Sequence, residues 1–107
     1  VGAHVLETEN KSNLPSDYAL FPNYPNPFNP STTIRYNLPE NDHVSLIVYD
    51  VKGRAVATII DFQQTAGYYN VEWSGINDAG IPLSAGLYLC RLQAGSYSQT
   101  IKMLYLK

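Results

Sequence analysis

The sequence is poor in several things at once, and each shortage removes a class of function. Of its 107 residues one is a cysteine, Cys90, so no disulfide can form within the chain and the fold must stand on packing. The two histidines, His4 and His43, are far apart, and neither is placed to act as a base for Cys90 or a serine. Two histidines and one cysteine also fall short of a zinc site. Charged residues make up only 15%, and the seven Lys and Arg are spread along the chain, too thinly for a groove that must neutralise a phosphate backbone. No run approaches the roughly 20 apolar residues of a membrane span. The opening, VGAHVLETENKSNLPSD, has neither the basic n-region nor the apolar h-region of an export signal, and Val1 in the place of an initiator Met is expected of a piece cut from a longer protein. Helical periodicity is missing too: no stretch longer than a turn repeats its apolar residues every 3.6 positions.

What remains is tyrosine, nine of them, and alternation. Residues 1–20 are polar and without period, the composition of a flexible linker, and the folded unit is expected over 21–107. Asn10-Lys11-Ser12 matches a glycosylation sequon, a tripeptide frequent enough by chance to need no function. From Thr32 the period is two: Ile34, Tyr36 and Leu38 alternate with Thr33, Arg35 and Asn37. A second strand runs from His43 to Tyr49, the segment DVKGR turns about Gly53 in a left-handed conformation, and a third strand continues through Ile60. YYNVEWSG places Tyr69, Val71 and Trp73 inward, and a last hairpin turns about Ala94-Gly95-Ser96.

Short strands at intervals of about 10 to 15 residues predict an all-β fold, an antiparallel sandwich of six to seven strands. Its core is expected from Ile34, Tyr36, Val44, Leu46, Val48, Val71, Trp73, Tyr88 and Leu92. Cys90 shares parity with Tyr88 and Leu92 and reads as a small buried hydrophobe. In the final strand Ile101, Met103 and Tyr105 compete with Leu104 and Leu106 for the interior, and an apolar strand of that kind is covered on both sides or is a surface another molecule uses.

Ahead of the first long strand stands YPNPFNPSTTIRYNLPE, with Pro25, Pro27 and Pro30 each fixing its own φ and lacking an N–H. Such a segment cannot be an interior strand; it reads as a rigid edge that carries Phe28 to a fixed place, with Asn26 and Asn29 closing turns beside the prolines. Asp50, Asp61, Glu72 and Asp78 fall in turns or on wet faces and form no dense ligand series, and Asn77-Asp78-Ala79-Gly80 reads as a turn ahead of a calcium loop. Tyr68, Tyr97 and Tyr105 are expected to be exposed, where rings can stack on sugars.

Four groups of residues in this order and spacing carry a resemblance: Pro25-Asn26-Pro27-Phe28-Asn29, the turn with Tyr49, Asp50, Gly53, Arg54 and Val56, the pair Gly86 and Tyr88, and the terminal Lys102-Met103-Leu104. Over residues from Phe21 to Lys107 the chain resembles the type A C-terminal sorting domain of the bacterial type IX, or Por, secretion system. It is also similar to the Ig-like domain of the flagellar hook-capping protein, through Asp50-Val51-Lys52-Gly53-Arg54 and GIPLSAGLY. It departs from the pattern at Cys90, where an aromatic or aliphatic residue is expected.

The resemblance implies an immunoglobulin-like sandwich at the end of a secreted or cell-surface protein of a Gram-negative bacterium, read by the secretion machinery at the outer membrane. The domain then has no catalytic residues, cofactor or metal. Its partners are that machinery and an N-terminal cargo domain, with self-association through the last strand as a further option. The alternative is an accessory binding module of an extracellular enzyme, for polysaccharide or for a neighbouring domain.

Overall fold

Alternation of large apolar and polar residues fixes which side of each strand leaves water, and seven strands follow it in a computed structural model that describes residues 13–107. Asn10-Lys11-Ser12 and most of the expected linker lie outside the described residues. The strands are β1 (Ala19–Leu20), β2 (Thr32–Leu38), β3 (Asp42–Tyr49), β4 (Ala55–Gln64), β5 (Gly67–Trp73), β6 (Gly86–Ala94) and β7 (Tyr97–Tyr105). They form two antiparallel sheets, one ordered β1-β2-β5 and the other β4-β3-β6-β7. Both hairpins, β3-β4 and β6-β7, lie within the larger sheet and β1 leads into β2 within the smaller one, while the β2-β3, β4-β5 and β5-β6 connections cross from one sheet to the other. That is the antiparallel sandwich the spacing predicts, of the immunoglobulin-like kind the resemblance implies.

Between the sheets lie Ile34, Tyr36 and Leu38 of β2, Val44, Leu46 and Val48 of β3, and Tyr88, Cys90, Leu92 and Ala94 of β6, all buried. Trp73 closes the set from β5, whereas Val71, expected in the core, is half-buried because β5 is an edge strand. The competition in the final strand is settled by packing: Met103 and Tyr105 are buried and Ile101 half-buried, while Lys102, Leu104 and Leu106 face out. Tyr105, expected to be exposed, is 4% exposed. Its ring fills the end of the sandwich, so it is not available to a sugar.

Tyr97 corrects the same expectation, for it is half-buried and stacks on Tyr18 with ring centroids 5.1 Å apart. Tyr18 in turn donates to Asp42, so ordered contacts begin just ahead of Ala19 and Leu20, whose backbones pair with Asn37 and Tyr36. The third strand also runs past Ile60 to Gln64. Its register against β3 slips between Leu46 and Ile47 and again between Val48 and Tyr49, and bulges of this kind bend an edge strand away from unwanted pairing.

Of the five glycines at positive φ among the described residues, Gly53 and Gly75 have opposite surroundings. Gly53 (φ 83°) makes the β3-β4 turn, and an added Cβ there would meet nothing within 4 Å. Gly75 (φ 69°) follows Trp73 beneath the Tyr105 ring, and a Cβ there would fall 2.8 Å from that ring. We predict that Gly53→Ala costs only the backbone strain of a left-handed residue, about 1 kcal/mol. Gly75→Ala adds overpacking of about 1 to 3 kcal/mol to the same strain. Paired denaturant melts measure the difference, and equal losses would mean that the Tyr105 ring does not rest on Gly75.

Candidate functional site

The four groups of residues singled out in the sequence come together in two places. The first is the outer edge of β7. Across the two-residue turn Gly95-Ser96, Ala94 pairs with Tyr97, so the odd-numbered residues of β7 bond to β6 and the even-numbered ones turn their backbone groups outward. An open row of this kind invites pairing with another chain. Here part of it is taken by residues 26–28. Leu104 N–H donates to Asn26 Oδ1 (2.9 Å) and Asn26 Nδ2 donates to Lys102 O (3.2 Å). Phe28 N–H donates to Leu104 O and Leu106 N–H donates to Phe28 O, both at 2.9 Å.

The chemistry of the segment explains this pattern. All three X–Pro bonds, at Pro25, Pro27 and Pro30, are cis, and none of these prolines has an N–H to offer. Asn26 pairs through its side-chain amide, which carries a donor and an acceptor like a peptide group, and Phe28 pairs through its own backbone. The expected turn closed by Asn26 on its neighbours is thus replaced by a contact with a strand at the other end of the chain. Phe28 is fully buried; its ring stacks on Tyr105 at 4.9 Å and meets Trp73 at 5.8 Å.

At its other end the segment is fastened to the smaller sheet. Tyr24 N–H donates to Thr33 O (3.0 Å) and Thr33 N–H to Tyr24 O (2.8 Å). Between them Asn23 and Thr32, both buried, hold the bend: Asn23 Nδ2 donates to Thr32 Oγ1 (3.0 Å), whose hydroxyl donates to Pro25 O (2.8 Å). Residues 24–28 are therefore a strap joining β2 of one sheet to β7 of the other. Asn23 and Thr32 carry no signal in the sequence, since a polar residue beside prolines reads as an ordinary loop residue.

The second place is the β3-β4 turn with the start of β6. Asp50 Oδ1 accepts from Lys52 N–H (2.9 Å) and Arg54 N–H (3.0 Å), and Oδ2 accepts from Arg54 Nε (2.9 Å). These donors, the Arg54 backbone N–H first among them, hold the Asp50 carboxyl below its usual range, although partial desolvation opposes them. An open cleft of about 360 Å³ separates this turn from the β6 side, with Lys52, Arg54 and Val56 on one wall and Leu83, Leu87 and Tyr88 on the other. Tyr88 Oη donates to Ser84 O (2.7 Å) and ties the loop before Gly86 to the strand after it. Tyr49 lies half-buried on the outer face opposite Leu89.

Other candidates are occupied with structure. Burial pushes the Cys90 thiol up to about 12, far from a reactive thiolate. Asn77 Oδ1 accepts from Ala79 N–H and Ile81 N–H, both at 2.9 Å, and Asp78 Oδ1 accepts from Thr58 N–H (2.7 Å), so these oxygens serve the turn. Among the described residues no three His, Cys, Asp or Glu side chains gather as a metal cluster would. Tyr68 and Tyr24 are the exposed tyrosines, at 65% and 81%.

Two predictions separate the parts of these seams. Phe28→Ala removes a buried ring and should cost about 3 to 5 kcal/mol, whereas Asn26→Ala frees one exposed donor and one acceptor to water and should cost about 0.5 to 1.5 kcal/mol. Urea melts with equal losses for both would contradict a strap anchored by its ring. A depressed folded-state pKa contributes stability above the unfolded pKa of Asp50, and this is lost as pH falls through the folded value. The melting-temperature gap between the parent and Asp50→Ala should therefore be full at pH 7 and shrink below about pH 4; a gap independent of pH would remove the carboxylate from the turn's stability.

With this geometry in place, solved structures that resemble it in fold belong to larger proteins. A latent dimeric PorU from Porphyromonas gingivalis superposes with a TM-score of 0.63 at 22% identity, over 84% of this chain and 9% of that one. PorZ, a surface component of the type IX secretion system of the same organism, gives 0.57 at 20%, over 83% and 12%. FlgD from P. aeruginosa gives 0.54 at 29%, over 69% and 58%. The chain thus spans less than two thirds of each of these proteins, and the likeness to PorU and PorZ is one of fold. No curated protein sequence matches it. Residues 29–102, which hold β2 to β6 and the turn of Asp50 and Arg54, match the FlgD Ig-like domain. On that match the chain belongs to the FlgD Ig-like domain family.

Proposed function

We propose that this domain is a non-catalytic sorting and attachment module, which directs a cargo protein fused ahead of it across the outer membrane by type IX secretion to the cell surface. The observation that carries the reading is the strap. It ties Pro25-Asn26-Pro27-Phe28 to Lys102-Met103-Leu104, the first and last of the four groups that mark the sorting family, into one surface along β7. The likeness in fold to PorU and PorZ supports the same direction. On this reading the last hairpin, from Gly86 to Lys107, is the part presented to the machinery, and the packed sandwich behind it keeps that hairpin in one shape.

A second reading is an accessory binding module, favoured by the exposed rings of Tyr24 and Tyr68 on the smaller sheet's outer side. It is weaker than the sequence suggests, because Tyr97 and Tyr105 are taken up by stacking with Tyr18 and Phe28. Affinity electrophoresis across several glycans separates the two, since a sugar module is retarded by at least one of them.

The direct test fuses the 107-residue chain behind a signal-peptide-bearing reporter in a host with a working type IX system. The expected outcome is reporter at the cell surface or in the medium, dependent on the chain and lost in a secretion-deficient strain. Periplasmic retention equal to that of a reporter without the domain would sink the reading.

A further inference from the structure

The outer face of the larger sheet combines two properties that its other surfaces do not. The register sets side chains in rows across the strands: Leu87 beside Leu104; Tyr49, Leu89 and Lys102 in the next row; Ile47, Arg91 and Thr100 in the one after. Leu87 and Leu104 are exposed, and Ile47, Tyr49 and Leu89 are half-exposed, so a continuous apolar strip runs across three strands with no element of the fold over it. Leu106 extends the strip past the end of β7.

The cations gather on the same side. Of the seven Lys and Arg, Lys11 lies outside the described residues and Arg35 belongs to the smaller sheet. The remaining five are here: Arg91 and Lys102 within the rows, Lys52 and Arg54 on the cleft wall across from Leu87, and Lys107 after Leu106. Arg54 is spent on Asp50. Among the described residues neither Arg91 nor Lys102 has a carboxylate partner; Asp61, in the row next to that of Arg91, holds His43 at 2.7 Å, and Asp78 at the β4 edge accepts from Thr58 N–H. A chain with a net charge of −2 has therefore placed most of its positive charge around this uncovered apolar strip.

We propose that this face docks on a protein partner that presents an aliphatic ridge flanked by carboxylates. The inference rests on the sorting reading and names the chemistry of what meets the last hairpin. Charge complementarity sets the sign of the partner, because a cationic rim discriminates against basic surfaces and speeds encounter with acidic ones. The shape of the strip favours a protein over a bilayer. Ile47, Tyr49 and Leu89 are half-buried while Arg91 and Lys102 beside them are exposed, and Arg91 Nε donates to Ser98 Oγ of the neighbouring strand (3.0 Å). Lipid insertion needs apolar groups that stand proud of the cations, whereas a partner side chain can reach down between them.

The experiment compares the parent chain with three variants in the reporter fusion, each also purified for thermal melts. Arg91→Glu with Lys102→Glu reverses the rim, Arg91→Lys with Lys102→Arg keeps its sign, and Leu89→Ser with Leu104→Ser removes apolar contact. The expected result is export reduced by about tenfold or more in the charge-reversed and serine variants, with melting temperatures near the parent's and export preserved in the charge-conserving one. Parent-level export by a folded charge-reversed protein would overturn the inference and leave the sorting reading standing; failure of the parent itself to export would remove both. A final arm measures co-sedimentation with phosphatidylcholine vesicles containing about 30% phosphatidylglycerol. Binding there by the parent, abolished by charge reversal, would assign the face to an anionic membrane and refute a protein partner.

Discussion

The strap formed by residues 24–28 is the contact on which the rest of this sandwich depends. A two-sheet domain without a disulfide is held by the packing between its sheets, and its weakest places are the ends of the core and the outermost strands. One short segment serves both. Tyr24 pairs with Thr33 of the smaller sheet, Asn26 and Phe28 pair with the outer edge of β7, and the Phe28 ring fills the end of the core against Tyr105 and Trp73. Gly75 is small because Tyr105 lies against it, and Tyr105 lies there because Phe28 stacks on its other side.

The consequence is a division of labour between edges and faces. Bulges interrupt β4, the exposed edge of the larger sheet, and the strap covers the Lys102 to Leu106 portion of the opposite one. Edge pairing is thereby discouraged at both sides of that sheet, which leaves its outer face as the surface with contact energy to offer. That face carries unpaired cations and half-exposed aliphatics over Ile47, Tyr49, Leu89 and Lys102. Fold and proposed role meet here, since a surface that must be read in one shape benefits from a strand fastened along its border.

Much of this was legible in the sequence wherever period two was strong. Ile34, Tyr36, Val44, Leu46, Val48, Trp73 and Leu92 alternate cleanly, and all are buried. The Gly53 turn was legible because a tight hairpin after Asp50 needs a residue at positive φ, and Phe28 because prolines on either side give an aromatic ring one fixed position. β7 was not, since Ile101, Met103, Leu104 and Tyr105 are apolar in succession and only the strands around them decide which are covered. The role of Asn26 was hidden for a different reason. Its partners are Lys102 and Leu104, far along the chain, and nothing local distinguishes an asparagine that closes its own turn from one that pairs with a distant strand. The burial of Tyr105 is hidden by the same gap, for the strap supplies it through Phe28.

Amide hydrogen exchange on the full chain tests the strap most directly, because it reports individual backbone N–H groups along one strand. Leu104 and Leu106 donate to Asn26 and Phe28, whereas the outward N–H groups of Ser98 and Thr100 on the same edge lie beyond the reach of those contacts. The account predicts slow exchange at Leu104 and Leu106, fast exchange at Ser98 and Thr100, and in Asn26→Ala a loss of protection at Leu104 that largely spares Leu106. Exchange at Leu104 and Leu106 as fast as at Ser98 and Thr100 would mean that the segment does not hold β7, and the account would fail at its centre.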